Sequence, residues 1–104
     1  MNLVSVVVAT YRRKEELEKS LESLAKQSYT NMEIILVDDN GDVKWNKIVI
    51  DIVDQFQKAY PMASINHIVN SPNQGSAKTR NIGIDAANGK YLSLIHISEP
   101  TRLD

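Results

Sequence analysis

Met32-Glu33-Ile34-Ile35-Leu36-Val37-Asp38-Asp39-Asn40-Gly41 is the stretch whose reading decides the fold. The unbroken apolar run Ile34 to Val37 lacks the alternation of a half-exposed strand. It predicts a strand buried on both faces, as in a parallel sheet covered by helices. Two carboxylates follow at once. In open α/β sheets, ligands bind in the crevice beyond the carboxyl ends of the strands. Asp38 and Asp39 therefore stand where a polar ligand would be held.

Working outward from that strand, the periodicity alternates between two kinds. Upstream, Leu3 to Ala9 is a β-branched run and predicts the first strand. After Tyr11, apolar residues recur at Leu17, Leu21, Leu24 and Ala25, which predicts an amphipathic helix from about Arg13 to Gln27. Glu15–Lys19 and Glu22–Lys26 are spaced for favourable i,i+4 pairing on it. A turn at Ser28 to Asn31 leads back to the buried strand. Downstream, Asn40-Gly41-Asp42 breaks the chain. Trp45, Ile48, Val49, Ile52, Phe56 and Ala59 mark a second helix, with Trp45 as its anchor and Pro61 as its stop. Ile65 to Val69 predicts a third strand, on which His67 is a structural residue. Ser71-Pro72-Asn73-Gln74-Gly75 is a loop by composition. A third helix starts near Ser76 and closes at Asn88-Gly89 as a left-handed stop. Lys90 to Ile95 predicts a fourth strand. The order β-α-β-α-β-α-β implies an α/β fold: a parallel sheet with right-handed crossovers and helices on both faces.

Bulk properties narrow the function classes. At 104 residues the chain makes one domain at most. Its 12 basic and 13 acidic residues nearly balance, so no nucleic-acid partner or polybasic membrane anchor is expected. The absence of cysteine excludes disulfides, thiolate catalysis and Cys-based zinc sites. The N-terminus does not read as a signal peptide, and no apolar run approaches the ~20 residues of a membrane helix. The expectation is a cytoplasmic chain.

Three ligands compete for an acid pair at a strand end. A dinucleotide needs a glycine-rich turn after the first strand, and here that turn is Ala9-Thr10-Tyr11-Arg12-Arg13. A receiver-type phosphoacceptor domain carries its acid pair after the first strand and an aspartate after the third. Here the pair follows the second strand, and the third ends in Asn70. The third ligand is a nucleotide sugar. "Val-Ser-Val-Val-Val-Ala-Thr-Tyr" (4–11), "Glu-Ile-Ile-Leu-Val-Asp-Asp-Asn" (33–40), "Asn-Gln-Gly-Ser-Ala-Lys-Thr-Arg-Asn-Ile-Gly-Ile" (73–84) and "Ala-Asn-Gly-Lys-Tyr-Leu" (87–92) occur in order. Together they resemble the N-terminal half of the inverting family 2 glycosyltransferases, over about Leu3 to Ser93.

The resemblance implies a partial GT-A fold: a Rossmann-like three-layer αβα sandwich with a mainly parallel sheet, truncated after about the fourth strand. It implies a donor that is a nucleoside-diphosphate sugar, most simply a UDP-sugar, and a hydroxyl acceptor, with a place in cell-envelope polysaccharide synthesis at the inner face of the membrane. Position by position, Ala9, Thr10 and Tyr11 would line the base pocket, Tyr11 offering a flat surface for stacking. Asp39, and less directly Asp38, would accept hydrogen bonds from a base N–H. Arg80 would pair with the diphosphate or shape the base pocket. Gly75 would permit a tight turn close to the ligand.

One family motif does not appear in its place. An Asp-x-Asp-type cluster that holds Mn or Mg against the donor diphosphate is expected after the fourth strand. The chain instead reads Leu92-Ser93-Leu94-Ile95-His96-Ile97-Ser98-Glu99-Pro100-Thr101-Arg102-Leu103-Asp104. Leu92 to Arg102 resembles translated sequencing-adapter sequence. Residues 1–93 are therefore read as the N-terminal part of the glycosyltransferase domain and 94–104 as a non-native tail. On this reading His96, Glu99 and Asp104 form no metal site, no catalytic residue is assigned, and the fragment alone is expected to be inactive, at most binding nucleotide without catalysis.

Overall fold

The computed structural model describes residues 2–27 and 31–98, at Ser98 the backbone only. Seven elements follow in the order β1 (Val4–Tyr11), α1 (Lys14–Ala25), β2 (Met32–Asp38), α2 (Val43–Ala59), β3 (Ser64–Val69), α3 (Ser76–Ala86) and β4 (Tyr91–Ser98). The strands form one sheet in the order β3-β2-β1-β4, and every neighbouring pair is parallel. The predicted element order and α/β class hold. The turn expected at Ser28 to Asn31 lies, for residues 28–30, outside the described residues, as do 99–104.

Parallel register sorts the side chains by parity. Val6 and Val8 of β1 stand beside Ile34 and Leu36 of β2, and all four join Leu17, Leu21 and Leu24 of α1 and Val49, Ile52 and Phe56 of α2 in the main core. The opposite face is thinner. There Val7, Ile35 and Val37 meet Ile82 and Ala86 of α3. Two helices thus cover one face and one helix the other, which is why the run Ile34 to Val37 is apolar without a break. Glu22–Lys26 forms its ion pair at 2.7 Å. Among the described residues Glu15 and Lys19 form none; the other helix-surface pair is Arg13–Glu16 at 2.6 Å.

Two expectations are corrected. Trp45 is half-buried in the first turn of α2 and stands outside the core cluster; Val49, Ile52 and Phe56 anchor the helix. The third helix does not close on a left-handed residue. It ends at Ala86, and Ala87 is already extended, with φ −75° and ψ 137°. Gly89 serves close approach instead, since a Cβ there would lie 2.6 Å from Ser5 Oγ and 2.8 Å from the Leu3 carbonyl.

That approach belongs to a clamp at the amino end of the sheet. Gly89 N–H donates to Ser5 Oγ at 2.7 Å, and Ser5 Oγ–H donates to Glu33 Oε2 at 2.5 Å. Asn88 adds its backbone N–H at 2.6 Å and its side-chain amide at 3.2 Å to the same carboxylate. Burial pushes the Glu33 carboxyl up, but the donors from Ser5, Asn88 and Gly89 outweigh it and hold it below the ordinary glutamate range.

Candidate functional site at the carboxyl ends of the strands

Asp38 and Asp39 are neighbours in sequence but not partners in space. Side chains alternate across a strand, so the two carboxylates leave the sheet on opposite faces. Both are fully buried. Asp38 points to the face of α1 and α2. Its Oδ1 accepts from Asn40 Nδ2 at 2.5 Å and from Asn40 N–H at 3.1 Å. Its Oδ2 accepts from Asn46 Nδ2 of α2 at 3.3 Å, and His67 Nε2 of β3 stands 3.5 Å away. His67 Nε2 is buried there with no hydrogen-bond partner among the described residues.

Asp39 points to the α3 face. Its Oδ1 accepts from Gln74 N–H at 2.6 Å and Asn70 Nδ2 at 2.9 Å, and its Oδ2 accepts from Gly75 N–H at 3.0 Å. Gly75 is the residue that opens α3, in the left-handed region at φ 86°. The carboxylate thus fastens the loop 71–75 and the start of α3 to the end of β2. Both Asp39 oxygens accept hydrogen bonds from within the chain. Asn70, whose amide also donates to Thr79 Oγ1 at 3.2 Å, is a member of this cluster that sequence reading missed. Asparagine beside a turn carries no sign that separates a buried network from ordinary loop chemistry.

The β1 end supplies the other half. Thr10 lies opposite Asp38 in register, and its carbonyl accepts from Asp39 N–H at 3.0 Å. Ala9 and Thr10 are buried, Tyr11 is half-buried, and Arg80 is exposed. Thr10 Oγ1 and Arg12 Nε are buried with no hydrogen-bond partner among the described residues. Arg12 takes φ 53°, a left-handed conformation that non-glycine residues rarely adopt. Its N–H donates to Asn40 Oδ1 at 2.6 Å, and its guanidinium lies 5.3 Å over the Tyr11 ring.

Arg80 and Ala9 come together across the sheet face. With Val7, Ser76, Leu94, Ile95 and His96 they line a cavity of about 220 Å³. Ser76 begins α3, so the cavity joins a guanidinium to a helix N-terminus, a pairing that favours anions. The six residues singled out in the sequence therefore fall into three settings. Ala9 and Arg80 share this cavity, Thr10 and Tyr11 continue the same strand end, and the two acids brace the loops from beneath. Among the described residues no group of three His, Cys, Asp or Glu side chains is placed to hold a metal ion. The described residues therefore do not supply the ligand set that the divalent cation of the resemblance would need.

Comparison with known proteins gives this arrangement its context. The sequence profile "Glycosyl transferase family 2" matches residues 5–96. An uncharacterized glycosyltransferase of Haemophilus influenzae is 32% identical over 95 residues, covering 91% of this chain and 36% of the relative. The UDP-Glc:alpha-D-GlcNAc-diphosphoundecaprenol beta-1,3-glucosyltransferase WfaP of Escherichia coli is 32% identical over 96 residues, covering 91% of this chain and 35% of the relative. Among solved structures, the mannosyltransferase PcManGT of Pyrobaculum calidifontis, in complex with GDP-Man and Mn2+, superposes with a TM-score of 0.76. Its identity is 20%, over 88% of this chain and 26% of that one, a likeness of fold. The chain spans about a third of the length of these relatives. A profile match over most of its residues, set on a parallel sheet with the acid pair after β2, places the chain in glycosyl transferase family 2.

Proposed function

We propose that this chain is the nucleotide-binding part of an inverting glycosyltransferase, one that moves a sugar from a nucleoside-diphosphate donor to a hydroxyl acceptor. The observation that carries the reading is the placing of Arg80 and the α3 N-terminus at Ser76 against Val7 and Ala9 of β1, the part of the cavity lining that precedes residue 94. In this reading the base lies against Tyr11 and the diphosphate lies toward Arg80 and the start of α3. UDP is the favoured nucleotide, supported by the UDP-Glc that names the WfaP relative. That same name supports a lipid-diphosphate-linked sugar as the acceptor class, and the inner face of the membrane is the location proposed with it. A divalent cation would belong to the parent's diphosphate site, with ligands other than the residues described here. Residues 94–104 are proposed to be a non-native tail, and sequencing the parent reading frame past Tyr91 checks this: an acidic cluster within a few codons is the expected result.

Calorimetric titration of the 104-residue chain with UDP and with GDP, each with and without Mn2+, tests the reading. The expected result is weak binding, tighter for UDP, indifferent to metal and weakened roughly tenfold by Arg80→Ala, the loss of one charged contact. Turnover of a UDP-sugar by the chain alone would contradict its assignment as an inactive part. Absence of binding by either nucleotide would reduce it to a fragment without nucleotide function.

A further inference from the structure

We infer that Asn40 is a positioning residue that sets the turn at Arg12 and, through it, the face that Tyr11 presents; the link to nucleotide binding rests on the function proposed above. The chain of contacts is short. Arg12 sits at φ 53°, where a side chain with a Cβ is unfavourable, so something outside the residue must hold it there. Its N–H is directed at Asn40 Oδ1, 2.6 Å away. Asn40 is itself buried, 3% exposed, and cannot swing freely. Its amide nitrogen donates to Asp38 Oδ1 at 2.5 Å, and its backbone N–H donates to the same oxygen at 3.1 Å. Asp38 is in turn fixed by Asn46 from α2 and faces His67 from β3.

The orientation of the Asn40 amide is therefore determined. Asp38 requires the NH2 on its side, which leaves the carbonyl oxygen facing the Arg12 N–H. Asparagine alone among the short side chains offers a donor to one partner and an acceptor to the other in a single planar group. An aspartate would set a second carboxylate against Asp38, and a serine would reach one partner only. The same arrangement assigns Asp38 a purpose distinct from ligand binding. It is the fixed point from which the Tyr11 turn is held, and the Arg12 guanidinium completes the turn by lying over the Tyr11 ring at 5.3 Å.

Amide exchange and nucleotide titration of the full chain test the inference together. In the nucleotide-free chain, Asn40→Ala is expected to speed exchange of the Arg12 amide roughly tenfold or more, while the amides of β1 and α1 keep their protection. Asn40→Ser serves the same measurement should the alanine variant fold poorly. UDP binding is expected to weaken roughly tenfold in Asn40→Ala. Glycine adopts a positive φ without cost, so the same substitution made in an Arg12→Gly background is expected to change binding less than about threefold. Unchanged Arg12 exchange in both Asn40 variants, or equal losses of binding in the two backgrounds, would overturn the positioning role. The exchange measurement needs no ligand, so a chain that binds neither UDP nor GDP removes the nucleotide reading alone.

Discussion

Replacing Asp39 by asparagine keeps the shape of the side chain and turns one of its acceptor oxygens into a donor. Asp39 receives Asn70 and Gln74 on one oxygen and Gly75 on the other, all inside the protein. Whichever way the new amide turns, its NH2 meets an N–H. A buried donor left without an acceptor costs about 1–3 kcal/mol, so Asp39→Asn should lower the unfolding free energy by that amount, read as a lower urea midpoint with an unchanged slope. A loss below about 0.5 kcal/mol would mean that the loop 71–75 is held by other contacts. This also governs how an Asp39→Ala binding experiment is read, because loss of the loop anchor alone would disturb the cavity beside Arg80. The sequence contained the clue that the two acids part company, since adjacent strand residues face opposite ways. The unbroken apolar run hid it, because burial on both faces removes the alternation that normally marks the faces.

At the scale of elements, the two faces of the sheet are held by different forces. The α1 and α2 face rests on a broad apolar cluster that includes Leu17, Leu21, Leu24, Val49, Ile52 and Phe56. The α3 face has Val7, Ile35 and Val37 at its centre, and of α3 itself only Thr79 and Gly83 are fully buried. Helix α3 therefore depends on the polar anchor at Gly75 more than on apolar area. Native-state hydrogen exchange should show the amides of α3 opening at least roughly tenfold more readily than those of α1; equal protection would show that the thin face is as cohesive as the thick one. The β-strand clamp at Glu33 gives a second expectation, in pH. Its folded carboxyl lies below the ordinary value, so it stabilises the fold above the unfolded pKa and that contribution is lost as pH falls through the folded one. Urea unfolding near pH 7 and near pH 3 (spanning the ordinary value of about 4.3) should show wild type losing more on acidification than Glu33→Gln. Parallel losses in the two would remove Glu33 as the source. None of this clamp was legible in advance, because Ser5, Glu33 and Asn88 are far apart in sequence and each is unremarkable alone.

For the whole molecule, what the sequence carried was local and what it withheld was relational. Period and punctuation sufficed for seven elements in order, because helices and strands bury their faces at different spacings. β1 is paired on both sides, and the edges belong to β3 and β4. Strand order depends on which pairs meet over long separations, and no single window of sequence records that. Tyr91, Leu92 and Leu94 are each close to half-exposed on β4, at the rim of the sheet. The central place of β1 has a consequence in time. Its partners on one side arrive with β2, but Val4 meets Tyr91 only after α1, β2, α2, β3 and α3 have been made. At a synthesis rate of about 5–20 residues per second, β1 stands with one flank open for several seconds. A nascent chain of this kind is vulnerable to wrong partners along β1, and the arrival of β4 ends that exposure.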